Sequence, residues 1–153
     1  MSSELEKGVH EIRIFKAFCL KLPNIVVVNI VKCVPPEPDL HCIFDHQSTY
    51  FELARNYPKS ISQQVFDNNP SSDTVIHDSD MISMLKTKLG KQYLVNEPIH
   101  LLLYDDLDLG VANNKVIKAL KTLLRSTGSI QYEKIWYFAQ GEAIEIYSQA
   151  SLK

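Results

Sequence analysis

Cysteine is scarce in this chain. Cys19, Cys33 and Cys42 are the only three in 153 residues, an odd number without C-x-x-C spacing. That argues against a disulfide framework and supplies too few sulfur ligands for a zinc ribbon. Glycine numbers five, and none forms a phosphate-cradling loop. No nucleophile elbow supports Ser-His-Asp catalysis, and none of the five histidines stands at metal-ligand spacing. Basic residues are not in excess either. A formal charge of −2 excludes a globally basic nucleic-acid binder, although a local basic groove stays open because only the field near a site steers a polyanion. Long apolar runs are missing. Ile25 to Val31 is broken by Asn29 and falls far short of the roughly 20 residues of a membrane span. The start, Ser2-Ser3-Glu4-Leu5-Glu6, is acidic where a signal peptide would be basic. A cytoplasmic address without a membrane partner is the expectation.

What is present is ordinary globular composition, 45% hydrophobic and 22% charged, at a length that suits a single domain over residues 1–153 with a sizeable core. Ser3 and Glu6 form a capping box, and Leu5, Val9, Ile12, Phe15 and Cys19 recur at helical spacing until Pro23 stops the helix. Ile25 to Cys33 is β-branched and reads as a strand. Pro35-Pro36-Glu37-Pro38 forces an extended break. Asp39 to Phe44 is a short strand, Asp45-His46-Gln47-Ser48 a hairpin turn, and Thr49 to Ala54 the return strand, with Tyr50, Glu52 and Ala54 on one face. Residues 56–77 read as a polar surface loop, with a short helical piece at 60–66. A second helix is predicted from Asp78 or Ser79 to about Tyr93, and Ile99 to Tyr104 is a buried central strand. Asn113 or Asn114 caps a third helix with the stripe Val116, Ile117, Leu120, Leu123 and Leu124, ended by Gly128. Two strands close the chain, Lys134 to Phe138 and Ala143 to Tyr147.

Two acids on adjacent antiparallel strands can converge on one Mg²⁺, which takes oxygen ligands from a few carboxylates, waters and a phosphate. With the turn at 45–48, Glu52 falls opposite about His41, and Asp39 is its diagonal neighbour at roughly 7–8 Å, a gap one ion can bridge. Pro38-Asp39 followed by Phe51-Glu52-Leu53-Ala54, after an amphipathic helix and a first strand, resembles the PD-(D/E)XK nuclease superfamily. Lys86 to Tyr93 before His100-Leu101-Leu102-Leu103-Tyr104, and Lys134-Ile135-Trp136-Tyr137-Phe138 near the end, look like uncharacterised bacterial members.

The resemblance implies an α/β (mixed α+β) fold. It would have a restriction-endonuclease-like αβββαβ core, a central mixed sheet flanked by helices, and an extra helix and strands at the C-terminus. It also implies Mg²⁺ or Mn²⁺ as cofactor, nucleic acid as partner and DNA phosphodiester hydrolysis as activity. Asp39 and Glu52 would be metal ligands and Glu11 an auxiliary acid on the first helix. Two residues after Glu52 the family pattern has lysine, and here Ala54 stands. Some members move that lysine to the following helix, where Lys88 lies nearer the buried side than Lys86 or Lys91. Arg55 points to the face opposite Glu52.

The plainer readings run beside these. Asp39 after Pro38 suits a turn-type hydrogen bond, and Glu52 suits a solvated strand face. Lys88 could be a snorkelling surface lysine. Lys115, Lys118, Lys121 and Arg125 form a basic helix face that is either solvated or contacts DNA. His41 and Tyr50 could border the acidic pair. Asp105-Asp106-Leu107-Asp108-Leu109-Gly110 lacks the closing Glu of a calcium loop. Ala54 motivates a rival function, a catalytically inactive binding module. An oligomeric interaction protein, for example a homodimer touching through strand edges or the Trp136 strand, is the other.

Overall fold

The computed structural model describes residues 4–55, 78–106 and 113–152. It is a mixed α/β arrangement, a six-stranded sheet with helices on both faces. The elements are α1 (Glu4–Cys19), β1 (Val27–Lys32), β2 (Leu40–Phe44), β3 (Gln47–Arg55), α2 (Asp78–Leu89), β4 (Ile99–Asp105), α3 (Asn113–Ser126), β5 (Lys134–Ala139) and β6 (Glu142–Ser148). A 3₁₀ turn, Gln149–Leu152, follows. The strands lie side by side in chain order. β1, β2 and β3 are antiparallel neighbours, β3–β4 and β4–β5 are parallel, and β6 returns antiparallel to β5.

The helices divide between the two faces. Phe15 and Phe18 of α1 pack with Leu40, Phe51, Leu53, Leu102 and Trp136. Leu85 of α2 and Val116, Leu120 and Leu124 of α3 pack with Leu101, Leu103, Ile135 and Tyr137 on the opposite face. The crossovers β3–α2–β4 and β4–α3–β5 add strands in the same direction, and crossovers of one hand then lay both helices on one face. Leu101, Leu102 and Leu103 are fully buried in turn, because β4 has strands on both sides and helices above and below, as its unbroken apolar run predicts.

Two hairpins set the register around the acids. Asp45 and His46 both have positive φ (49° and 69°), as in a type I′ turn, so Phe44 pairs with Gln47 and Leu40 with Phe51. The turn is therefore two residues long, not the four expected at 45–48. Extending this register by one position places Asp39 directly across from Glu52, rather than diagonal to it. Gln140 and Gly141 make the second such turn (φ 51° and 74°).

Three further expectations change. The buried stripe of α1 is Gly8, Glu11, Phe15 and Phe18, whereas Leu5 and Val9 are exposed; the sheet is met by the aromatic side of the helix, which carries Glu11 inward. The second helix ends at Leu89 and not at Tyr93, closing with the Gly90 amide on the Lys86 carbonyl at 3.1 Å. Trp136 is buried in β5, an interior strand, so the Trp136 strand is no surface for another subunit; β1 and β6 are the edges. The capping box at Ser3, the loop 56–77 and most of the 105–110 segment lie outside the described residues. Among the described residues no helix is long and apolar enough to cross a membrane.

Candidate functional site

Asp39 is fixed by the backbone on both sides of it. Its carbonyl accepts the Cys33 amide at 2.9 Å, closing the proline-rich loop between β1 and β2. Its carboxylate accepts the Leu53 amide at 2.9 Å. Regular β2 begins only at Leu40, so at this point the side chain supplies the acceptor that a strand would otherwise give to β3.

Glu52, on the α2 face of β3, is 3% exposed. A carboxylate taken out of water at such a depth survives only with partners, and it has several. Lys88 in the last turn of α2 donates to its Oε2 at 2.9 Å. Lys91, just beyond the helix, reaches the same oxygen at 3.3 Å. Burial by itself pushes the Glu52 carboxyl up, but the Lys88 charge, together with hydrogen bonds from Lys88, Tyr93 and Asp39, holds it below the ordinary range.

The neighbouring acid moves the other way. Burial first, then the negative charges of Glu52 and Glu11, push Asp39 up to about 7 against the opposing pull of the Leu53 amide, and a hydrogen bond to Glu52 adds to the rise. The two carboxyls are thus pushed in opposite directions, as expected when neighbouring acids cannot both ionise freely. Tyr93, hydrogen bonded to Glu52, is raised by burial and by that carboxylate.

On the other side of Asp39 stands Glu11, also 3% exposed. The two acids are bridged by Lys32 at the end of β1, whose Nζ lies 3.3 Å from Glu11 and 3.6 Å from Asp39. The sequence-predicted residues Asp39, Glu52, Lys88 and Glu11 therefore fall in one cluster, in the order Glu11, Lys32, Asp39, Glu52, Lys88. Three carboxylates meet three ammonium groups once Lys91 is included.

Lys32, Lys91 and Tyr93 were not expected in it. The helical wheel that places Lys91 away from the buried side does not apply past Leu89, where α2 ends. Lys32 carried one faint signal, a charged residue closing a run of branched apolar ones. Ala54, at the motif's lysine position, packs in the apolar cluster with Leu85.

The remaining candidates lie elsewhere. His41 shares its Nε2 between Ser48 at 2.8 Å and Glu97 at 2.6 Å, and stacks edge-on against Tyr50. Arg55 forks onto Asp106 at 2.8 and 2.9 Å, with His10 joining Asp106 at 3.1 Å. The three cysteines are free, and burial pushes Cys19 and Cys42 up to about 12 and Cys33 to about 11, which keeps them as thiols. A cavity of about 490 Å³ lies between α3 and β6, and Lys121 and Arg125 of the basic helix face line its rim, remote from the acids. Among the described residues no three His, Cys, Asp or Glu side chains gather closely enough to enclose a metal ion by themselves; Lys32 stands between Glu11 and the other two acids. No family model, no curated protein and no solved structure matches this chain.

Proposed function

We propose that the protein is a metal-dependent phosphodiester hydrolase of the PD-(D/E)XK nuclease-like class, acting on DNA, with its site at Asp39, Glu52 and Lys88. The observation that carries this reading is the geometry: the carboxylates of Asp39 and of the buried Glu52 come from facing strands, with the Lys88 amine 2.9 Å from Glu52. The donor set suits Mg²⁺ or Mn²⁺, which fill most of their coordination with water and phosphate oxygen and need only one or two carboxylates. The order α1-β1-β2-β3-α2-β4, with β3 and β4 parallel, supports a restriction-endonuclease-like core to which α3, β5 and β6 are added.

In this reading Asp39 and Glu52 would hold the ion. When bound, the ion acidifies a water and neutralises charge building on the phosphate. Lys88 stands in for the lysine missing at Ala54. Its Nζ, already oriented by Glu52, is placed to hold an attacking water and to offset phosphate charge. Lys91, more exposed, offers a second cation to the nucleic-acid backbone.

Titrating Mn²⁺ or Mg²⁺ while following thermal unfolding and plasmid nicking tests the proposal. The wild type should be stabilised by metal and should cleave. Asp39→Ala combined with Glu52→Ala should lose both responses, with cleavage down by more than about 100-fold. Metal-dependent stabilisation without cleavage would leave the inactive binding module. A mass that grows with concentration, without any metal response, would favour an oligomer built on β1, where Val28 and Val31 are exposed.

A further inference from the structure

We infer that Lys32 occupies, with its own ammonium group, the place a second cation would take beside Asp39, which makes this a one-metal centre. The inference rests on the metal reading above and concerns the side of Asp39 turned away from Glu52. There Lys32 Nζ sits 3.3 Å from Glu11 Oε1 and 3.6 Å from Asp39 Oδ1. Its stem lies along Gly8, where a methyl group would meet it at 3.5 Å, so the ammonium is led to the acids across the buried stripe of α1. Glu11 is as deeply buried as Glu52, and Lys32 is the cation that compensates it.

Two carboxylates flanking one positive charge form half of the arrangement that two-metal phosphodiesterases build around ions roughly 3.5–4 Å apart. An ammonium is a compact point charge, able to fill such a place without the coordination geometry that a metal demands. Being tethered, it is also present at any metal concentration. Asp39 then serves both sides, sharing an ammonium with Glu11 and facing Glu52 across the two strands. Only the side facing Glu52 is left for a divalent ion. Glu11 acts as a positioning residue that holds Lys32, rather than as a ligand.

The number of Mn²⁺ ions bound per chain decides it, measured by calorimetry and by the electron paramagnetic resonance of free Mn²⁺. Thermal unfolding over the same Mn²⁺ series serves as the folding control. The wild type should bind one ion, and Lys32→Arg should also bind one. Lys32→Met should bind two, melting well below the wild type without metal and regaining stability with a steeper dependence on Mn²⁺, as expected for one more bound ion. One ion in Lys32→Met, two in the wild type, or a Lys32→Met chain that stays unfolded at saturating Mn²⁺ would each overturn the inference while leaving the metal reading intact. No uptake by the wild type removes the metal reading itself, and this inference with it.

Discussion

His100 and Glu52, the partner of Asp39, are both buried polar groups on adjoining strands, yet the molecule handles them in opposite ways. His100 lies on the α1 face among Phe44, Phe51 and Trp136, and Trp136 Nε1 donates to its Nδ1 at 3.1 Å. Indole can only donate, so that nitrogen carries no proton and the ring is neutral. Burial, aided by the Lys134 charge, pushes the imidazole down to about 3. The group is paired, closed in by aromatic rings and uncharged, as a polar group kept for packing should be. Across the sheet the buried Glu52 keeps its charge beside the half-buried Asp39, and lysines from β1, α2 and the segment after α2 lie against the two carboxylates. That arrangement costs stability, and such costs concentrate at functional sites.

The largest effect expected from testing this contrast is at the aromatic group. Trp136→Ala should destabilise the protein by about 3–5 kcal/mol, through the cavity and the lost partner of His100, while Mn²⁺ still raises the melting temperature by the wild-type increment. A lost metal response in that variant would show that the two regions are not separable. Next comes the charged pair. Lys88→Met should cost about 2–3 kcal/mol in urea unfolding, because it leaves Glu52 with the more exposed Lys91 alone. Adding Glu52→Gln should recover a good part of that loss, since the stranded charge is then gone. Strict additivity of the two substitutions would mean that the pair is not coupled.

The smallest effect is also the sharpest, because the two regions carry opposite pH signatures. Asp39 is raised in the folded state, so the native protein binds the extra proton between the ordinary carboxylate value and about 7; stability from this group is full below that window and falls as pH rises through it. His100 is lowered in the folded state, so the unfolded chain takes the extra proton, and stability falls as pH drops from about 6.5 toward 3. Asp39→Asn should leave a protein whose melting temperature climbs with pH up to about 6.5. It should also be more stable than the wild type near pH 8, by on the order of 1 kcal/mol. His100→Gln should leave the falling slope instead. Identical slopes in the two variants would contradict both assignments.

Much of the architecture could be read directly from residue patterns. The stripe of α3 and the unbroken Leu101–Leu103 run depend only on periodicity and apolar content; the structure buries Leu101–Leu103 with Val116, Leu120 and Leu124 and half-buries Ile117 and Leu123. Asp39 and Glu52 were legible as an acidic pair because a proline break and a hairpin must bring their strands together. Their exact opposition was not, since it turns on whether Asp45 and His46 adopt positive φ, a choice that four polar residues in a row leave open. The inward stripe of α1 is not legible in the residue pattern for a similar reason. Leu5 and Val9 are as apolar as Phe15, and only the shape of the sheet decides that the larger aromatic side docks and takes Glu11 with it.

The sequence by itself thus determined the succession of helices and strands, the buried parallel centre and the two strands that present Asp39 and Glu52, because those follow from local propensity and the period of apolar residues. Tertiary structure decided which charges meet. Lys32, Lys88 and Lys91 come from β1, α2 and the segment after α2, and Glu11 from α1. Nothing local marks them as partners. They converge because a buried carboxylate must find compensating charge from whatever element the fold brings within reach.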